Sequence, residues 1–489
     1  MAPVTLCATV SGATTAELVA ARDRVADADM VELRLDGLED LSVETPAAVL
    51  AGRRLPAIVT CRAGWEGGRF TGPEAAREAI LRQALAEGAE WVDVEWRAGF
   101  AGLVREHAER IVLSYHDFAG VPGDLPAVAA AMRATGAAVV KVAVTPARLS
   151  EVLALRHLVS GPAVLIAMGD RGLFSRLLPS RMGSRWTYAG AAAPGQLSVE
   201  RMRTEFRVET VTETTRVYGV VGNNVLHSLS PAMHNAAFAA AGVDAVYVPL
   251  LPVDFDDFLL FAEGVGLAGA SVTVPFKVEA LRAAGSADAV AARVGAANTL
   301  ARTGSQWTAT NTDVDGFLSP LAGAGVAVLP GVRCAVLGAG GAARAVVAGL
   351  VARGAIVTVH ARREAQARDV AAAFGALVGA WPVPDGSWDV LVNTTPAGGA
   401  TARDESPLPG GPFGGQLVYD LTYGPEEPRL LREARAAGCR TLDGLPMLVA
   451  QAEQQFAWWT GRPAPPGIMA AAARARLDAA RTVSPVRPS

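Results

Sequence analysis

The sequence predicts an α/β protein in two halves. An N-terminal (β/α)8 barrel of the TIM type is followed by a two-domain α/β unit with a Rossmann-type dinucleotide fold. Three observations carry this. The first 210 residues alternate short β-branched runs with Ala/Leu/Arg stretches of helical period. A polar segment, ETVTETTR over Glu209–Arg216, then breaks the pattern and reads as a linker. Further on, RCAVLGAGGAARAVVAGLVARGAIVTVHARR places a strand, a glycine turn, a helix and a second strand in about 30 residues, the spacing of a dinucleotide-binding βαβ unit.

Strands are expected where β-branched and aromatic residues cluster: Val4–Val10, Met30–Leu35, Pro56–Cys61, Trp91–Trp96, Arg110–Tyr115, Ala138–Val144 and Pro162–Met168, with a weaker one near Trp186–Ala189. Helical stretches lie between them, among them Thr14–Asp27, Pro73–Glu87, Asp124–Thr135 and Pro146–Val159. Eight such units in about 210 residues match the size and rhythm of the barrel. A doubly wound sheet is the competing arrangement, but this half contains no glycine-rich phosphate turn. After the linker, YGVVGNNVLHSLSPAMHNAAFAAAGVDAVYVPL opens a second α/β unit. The helical stretch Gly444–Thr460 is followed by a Pro-rich loop and an Ala/Arg helix, and RTVSPVRPS reads as disordered. The expected domains are 1–210 for the barrel, 217–319 for a substrate-binding α/β domain completed by helices over 444–475, and 320–443 for the dinucleotide domain. A disordered tail is expected over 476–489.

Bulk properties narrow the function. The net charge is −4 with the signs interspersed, which argues against a nucleic-acid or anionic-membrane partner. Hydrophobic residues make up 51%, but no uncharged run approaches the roughly 18 residues of a membrane span. The start, MAPVTLCATV, reads as a strand rather than a signal peptide. Cys7, Cys61, Cys334 and Cys439 are scattered, with no spacing that suggests zinc or any other metal. Reduced structural thiols and a cytoplasmic location are expected.

Only Lys141 and Lys277 are lysines among 44 basic residues; all the others are arginine. Lysine can lose its proton and form a Schiff base, which arginine cannot, so these two are the first suspects for chemistry. Lys141 lies inside AAVVKVAV, where apolar neighbours should favour the free amine needed to attack a ketone. In a barrel, function gathers at the C-terminal ends of the strands. The polar residues in or just after strands are Glu32, Arg34, Arg62, Glu66, His116, Asp117, Lys141, Arg176 and Gln196. His116 suits a general acid/base. With an iminium on Lys141 it would make a β-elimination device. Arg176 and Arg34 suit a carboxylate-bearing substrate.

The segments VELRLD, TCR-x3-EGG, SYHDF, VKVAV, MG-x5-SR and APGQ together resemble type I 3-dehydroquinate dehydratase, in family order across nearly all of the first 210 residues. The resemblance implies that Lys141 forms the imine and that His116 is the general base and acid, oriented by Glu66. It also implies that Glu32, Arg34 and Arg62 hold substrate hydroxyls, that Arg176 binds the carboxylate, and that Gln196 comes from a mobile lid. One position departs: Ala192 stands where the family usually has serine.

In the second half, GAGGAAR lies between a strand and an Ala-rich helix and reads as a phosphate site at a helix N-terminus; a tight packing turn is the plainer reading. The next strand ends in VTVHARRE, offering Arg362 and Arg363 instead of an acid. That favours an adenosine 2′-phosphate, hence NADP(H), over solvated surface arginines. HSLSP supplies Ser228 and Ser230, which could equally be a helix cap before Pro231. Thr273, Lys277, Asn298 and Asp313 follow in SVTVPFK, AANT and NTD. A Lys near an Asp can move a proton at an alcohol oxygen while the nicotinamide carries hydride, though an ion pair is the plainer reading.

The blocks HSLSP, VTVPFK, AANT, NTD, GAGGAAR, NTTPAG, YDLTYGP and MLVAQAE resemble shikimate dehydrogenase from Val217 to about Met469. The resemblance implies a shikimate pocket lined by Ser228, Ser230, Thr273, Lys277, Asn298, Asp313 and Gln451, approached by Tyr423, with Lys277 and Asp313 as the catalytic dyad. The cofactor would be bordered by Gly338, Ala339, Gly340, Gly341, Ala342, Asn393, Thr394 and Met447. Asn224, Ser271, Pro446 and Ala361 depart from the pattern. Ser271 trims a polar side chain near the pocket, and Pro446 is expected to stiffen a nicotinamide-side loop.

Together the two resemblances imply a bifunctional enzyme that dehydrates 3-dehydroquinate to 3-dehydroshikimate and reduces that product to shikimate. A second half that prefers quinate is one rival, disfavoured by the hydroxyls of Ser230 and Thr273. A non-catalytic sensor of pathway intermediates is the other, disfavoured because Lys141, His116, Lys277 and Asp313 are all present.

Overall fold

In the computed structural model, which describes residues 4–190, 196–323, 330–399 and 402–483, the chain forms two compact units. One gathers the chain up to Arg216 together with Val248–Gly266, the other Val217–Tyr247 and the chain from Leu267 onward.

The first unit is built on eight strands: β1 (Thr5–Val10), β2 (Met30–Arg34), β3 (Ala57–Thr60), β4 (Trp91–Glu95), β5 (Ile111–Asp117), β6 (Val139–Val144), β7 (Ala163–Ala167) and β8 (Trp186–Ala189). They pair in parallel in the order β7-β6-β5-β4-β3-β2-β1-β8. Ala163 bridges to Ser184 at the seam, where the Leu165 N–H donates to Ser184 Oγ at 2.8 Å, so the sheet is nearly closed. Alternation sends every second side chain inward. Ile58, Val112, Val139, Val164 and Trp186 fill the interior as a packed floor, leaving the inward positions above them for polar residues.

One expected element differs. The stretch Pro146–Val159 holds a 3₁₀ turn over Leu149–Leu155 rather than an α-helix. The Asp257 carboxylate accepts from the Leu149 and Ser150 amides at 2.9 and 2.8 Å, and the helix Phe255–Val265 that carries it belongs to the same unit.

Two six-stranded sheets follow. The first comprises β9 (Arg216–Val221), β10 (Ala245–Leu250), β11 (Gly269–Val272), β12 (Ser286–Ala287), β13 (Thr299–Thr303) and β14 (Gln306–Thr310), ordered β10-β9-β11-β13-β14-β12. β13 runs antiparallel to both its neighbours. The second comprises β15 (Arg333–Leu337), β16 (Ile356–His360), β17 (Leu377–Val378), β18 (Val390–Asn393), β19 (Leu417–Asp420) and β20 (Arg440–Leu442), ordered β17-β16-β15-β18-β19-β20. All its pairings are parallel, and the strand order reverses between β15 and β18, where such folds open a crevice for a ligand.

The helix Leu445–Thr460 returns to the first of these sheets. Trp459 Nε1 donates to Leu300 O at 3.0 Å, and Gln455 Nε2 donates to Thr299 Oγ1 at 3.0 Å. A final helix runs over Ile468–Val483. The tail expected from 476 is therefore corrected: its first eight positions continue that helix, a stretch rich in alanine and arginine, which are strong helix formers. The remainder, 484–489, lies outside the described residues. Among the described residues no helix is long and apolar enough to cross a membrane, and the four cysteines are buried and free.

Candidate functional site

In the first unit, the inward face is charged at mid-height. Lys141 pairs with Ser114 in the β5–β6 ladder. Its Nζ lies 2.9 Å from Asp93 Oδ2 and 3.5 Å from Glu32 Oε1, and 4.5 Å from the centre of the Tyr188 ring. Asp93 also takes Arg62 Nη2 at 2.8 Å and the Ser114 hydroxyl at 2.6 Å. Burial by itself would raise the Asp93 carboxyl, but Arg62 and Lys141 hold it well below the usual carboxylate range. Glu32 accepts the hydroxyls of Thr9 and Thr60 at 2.9 and 3.0 Å. The lysine therefore sits in a buried ion-pair network, not in the apolar surroundings expected of AAVVKVAV. Val140 and Val142 alternate to the opposite face of the strand, and the inward neighbours come from other strands.

His116 Nδ1 is 3.0 Å from Glu66 Oε1, which also accepts the His116 backbone N–H at 3.0 Å. Burial lifts the Glu66 carboxyl to about 7, and its proton, when present, belongs on the unpartnered Oε2. Oε1 is thus an acceptor in either state, so Nδ1 carries the ring hydrogen and the Nε2 lone pair is left for a substrate. Burial, then Arg62 and Lys141, press the imidazole pKa well below its ordinary 6.5. A base must be neutral to act, and a lowered pKa keeps it neutral further into acid. The acid limb of kcat/KM for dehydration is therefore expected below pH 6.5. A pH profile with that limb at 7 or above would remove His116 from the role of base.

Arg34 forks onto Asp36 with two bonds of 2.9 Å. Arg176, in the short helix Leu173–Leu177, is buried with Nε unpartnered, and burial brings its guanidinium down to about 10. These residues share one cavity of about 430 Å³ with Glu32, Arg62, Glu66, His116, Lys141 and Gln196, so every site residue expected in the barrel converges there. Asp117 does not take part: its Oδ1 caps the Ala119 and Gly120 amides. Ala192 lies outside the described residues. The sequence reading missed Asp93, Glu95, Ser114 and Tyr188. The available signal was the alternation in WVDVE, which puts Asp93 and Glu95 on one face of a strand whose inward side should be apolar.

In the second unit, a cavity of about 390 Å³ is lined by Ser228, Ser230, Thr273, Lys277, Asn298, Asp313, Tyr423, Met447 and Gln451, with Asn224, Ser271, Ala342 and Gln455. Lys277 Nζ is 2.5 Å from Asp313 Oδ2, while Asn298 Nδ2 donates to Asp313 Oδ1 at 2.8 Å. The Thr312 N–H donates to Asn298 Oδ1 at 2.8 Å, which fixes the amide so that its NH2 faces the carboxylate. Burial lifts the Tyr423 phenol to about 12, leaving it a hydrogen-bond donor.

The glycine turn meets this pair. Gly341 opens the helix Gly341–Ala352, and a Cβ there would lie 3.0 Å from Lys277 Cδ. Gly338, at φ +107°, is a position that only glycine takes without strain, and a Cβ there would come within 2.5 Å of Thr394 Oγ1. No side chain caps the helix start at Gly340, so its amides remain available to an anion, and Ala339 lies in the same turn. Arg362 and Arg363 are exposed just past β16, whose last residue, His360, accepts the Gly338 N–H at 2.8 Å. The turn and these arginines fit a dinucleotide carrying a 2′-phosphate.

The Asn393 side chain is fully buried and donates to Asp420 Oδ1 at 2.9 Å and to Ala397 O at 3.1 Å, which shapes the turn beside Thr394. One expectation needs correction. Pro446 does not stiffen a loop; it occupies the first turn of the helix Leu445–Thr460, where a missing N–H costs nothing. Tyr247 and Gln455 escaped the sequence reading. Ser271 Oγ is 2.6 Å from both Tyr247 Oη and Gln455 Oε1, so the trimmed position is part of a hydroxyl chain in the pocket wall.

The family model described as type I 3-dehydroquinase matches residues 6–213, that of the shikimate dehydrogenase substrate binding domain 220–300, and that of the shikimate 5′-dehydrogenase C-terminal domain 444–474. A bifunctional 3-dehydroquinate dehydratase/shikimate dehydrogenase, chloroplastic, from Arabidopsis thaliana is 33% identical over 475 residues, covering 90% of this chain and 78% of that one. A shikimate dehydrogenase (NADP(+)) from Anaeromyxobacter dehalogenans is 45% identical over 282 residues, 55% of this chain and 99% of that one. Among solved structures, a shikimate dehydrogenase in complex with NADP+ matches with a TM-score of 0.50 and 29% identity, over 55% of this chain and 98% of that one. With both cavities and both halves accounted for, the chain belongs to the family of bifunctional 3-dehydroquinate dehydratases/shikimate dehydrogenases, a lyase and an NADP-dependent oxidoreductase in one polypeptide.

Proposed function

We propose that the barrel dehydrates 3-dehydroquinate through an iminium on Lys141, and that Lys277 and Asp313 handle the proton when 3-dehydroshikimate is reduced to shikimate. The observation that carries this is the 2.9 Å pairing of Lys141 with Asp93, inside a cavity that His116 also lines. Asp93 holds the amine in place, and the amine must shed a proton before it attacks the ketone. Iminium formation expels water and makes the adjacent C–H acidic. His116 Nε2 takes that proton and returns it to the departing hydroxyl, which leaves as water; hydrolysis of the imine then frees the amine. Glu32, Arg34 and Arg62 hold hydroxyls, Arg176 holds the carboxylate, and Gln196 completes the cavity.

In the second unit, Ser228, Ser230, Thr273, Asn298, Tyr423 and Gln451 orient the ring acid beside the Lys277–Asp313 pair, and Met447 packs at the nicotinamide side. NADPH supplies the hydride; the dyad supplies the proton to the forming alkoxide. Arg362 and Arg363 are placed to hold the 2′-phosphate. The product of the first reaction is the substrate of the second, on the way to chorismate and the aromatic amino acids. A cytoplasmic site of action accords with four cysteines left free and buried.

The test of the imine is chemical. Borohydride added with 3-dehydroquinate should fix a reduced, acid-stable adduct on the peptide that contains Lys141, read by mass spectrometry. An adduct on another residue, or none under turnover conditions, defeats the reading.

A further inference from the structure

In the wall of the barrel cavity, two buried donors among the described residues lie unused. One is Arg176 Nε, buried and unpartnered. The other is the Tyr188 hydroxyl, on a side chain 2% exposed, in the wall of the same cavity and likewise unpartnered. The two are joined: the Thr187 hydroxyl, one residue before Tyr188, donates to Arg176 O at 3.0 Å. The face of the Tyr188 ring is occupied by Lys141 Nζ, 4.5 Å from the ring centre, which fixes the ring plane and leaves the hydroxyl at its edge.

An unpaired buried donor costs stability, commonly about 1–3 kcal/mol, so two of them on residues of one cavity wall mark a seat for an acceptor. We infer that the Tyr188 hydroxyl is a substrate-binding donor that joins Arg176 in holding the carboxylate of 3-dehydroquinate. This rests on Arg176 being the carboxylate site. The direction of the bond is determined: burial, then the negative charges of Glu32 and Asp93 and the Cys7 thiol, hold the phenol in its protonated form, so it can donate to an anion. A donor arriving at that oxygen from the Trp186 indole would use a lone pair and leave the hydroxyl proton free. The sequence adds a reason for the second donor, because Ala192 offers no hydroxyl where the resembling dehydratases carry serine.

Tyr188→Phe keeps the ring over Lys141 and deletes only the donor. KM for 3-dehydroquinate is expected to rise about tenfold, the cost of one hydrogen bond to a charged group, with the loss in KM rather than in kcat. Arg176→Gln, measured in parallel, tests the seat itself. A KM rise in Arg176→Gln with none in Tyr188→Phe overturns the assignment of Tyr188 and leaves the seat standing. No rise in either overturns the seat as well. A fall in kcat at unchanged KM in Tyr188→Phe also overturns the inference, since it would place the hydroxyl in the chemical step.

Discussion

Lys141→Arg is expected to abolish dehydration, by on the order of 10⁴-fold or more, while shikimate oxidation by the same polypeptide stays near its original rate. The choice of arginine follows from the ion pairs. Asp93 and Glu32 are buried and lie 2.9 and 3.5 Å from the amine, so a neutral replacement would strand two carboxylates, at about 3–5 kcal/mol for a broken buried pair. Arginine keeps a cation there yet cannot form an imine at any accessible pH. A loss that came only from electrostatics would be largely spared by this exchange. The dehydrogenase residues lie in the other compact unit, so the second activity should be retained, while the thermal unfolding of the variant reports whether the barrel itself has folded. Residual dehydration above about 1% of the original, measured by enone absorbance, would mean the lysine positions substrate without bonding to it.

Asp313→Asn should lower kcat for shikimate oxidation by about 10²–10⁴-fold and leave dehydration unchanged. The carboxylate accepts from Lys277 on one oxygen, at 2.5 Å, and from Asn298 on the other, at 2.8 Å. An amide of the same shape has one acceptor and one donor, so it can satisfy Asn298 or Lys277 but not both. The proton route is cut and the lysine loses its anchor, with little change in volume. Coupled NADP+ reduction at saturating shikimate measures the effect on kcat. A fall of less than tenfold would reduce Asp313 to a residue that merely helps to place substrate.

Both expectations began in the sequence, though unequally. The lysine scarcity and the motifs around His116, Arg62 and Arg176 were enough to name a cavity and all its expected members. Motif reading names what is exceptional in a chain. It passes over residues such as Asp93, Ser114 and Tyr188, which look like ordinary strand residues until the barrel closes. In the second unit the residue types and spacing could name Lys277 and Asp313, but only the family resemblance joined them, because 36 positions separate the two. Asn393 stands in a cofactor motif, and only the folded turn shows that its amide is taken by the Asp420 carboxylate and the Ala397 carbonyl.

The alternation of apolar runs determined the architecture, since periodicity is local and each strand or helix carries its own pattern. The residue types at strand ends determined which chemistries were available, because only a lysine makes an imine and only a glycine accepts φ +107° at Gly338. The tertiary structure alone decided the electrostatic state of those groups. Lys141 is an ion-paired amine because β2 and β4 bring Glu32 and Asp93 to it. The His116 imidazole is pressed below its ordinary pKa because the fold buries it and sets Arg62 and Lys141 nearby. Charge interactions act through space across strands dozens of residues apart, and no window along the chain contains them.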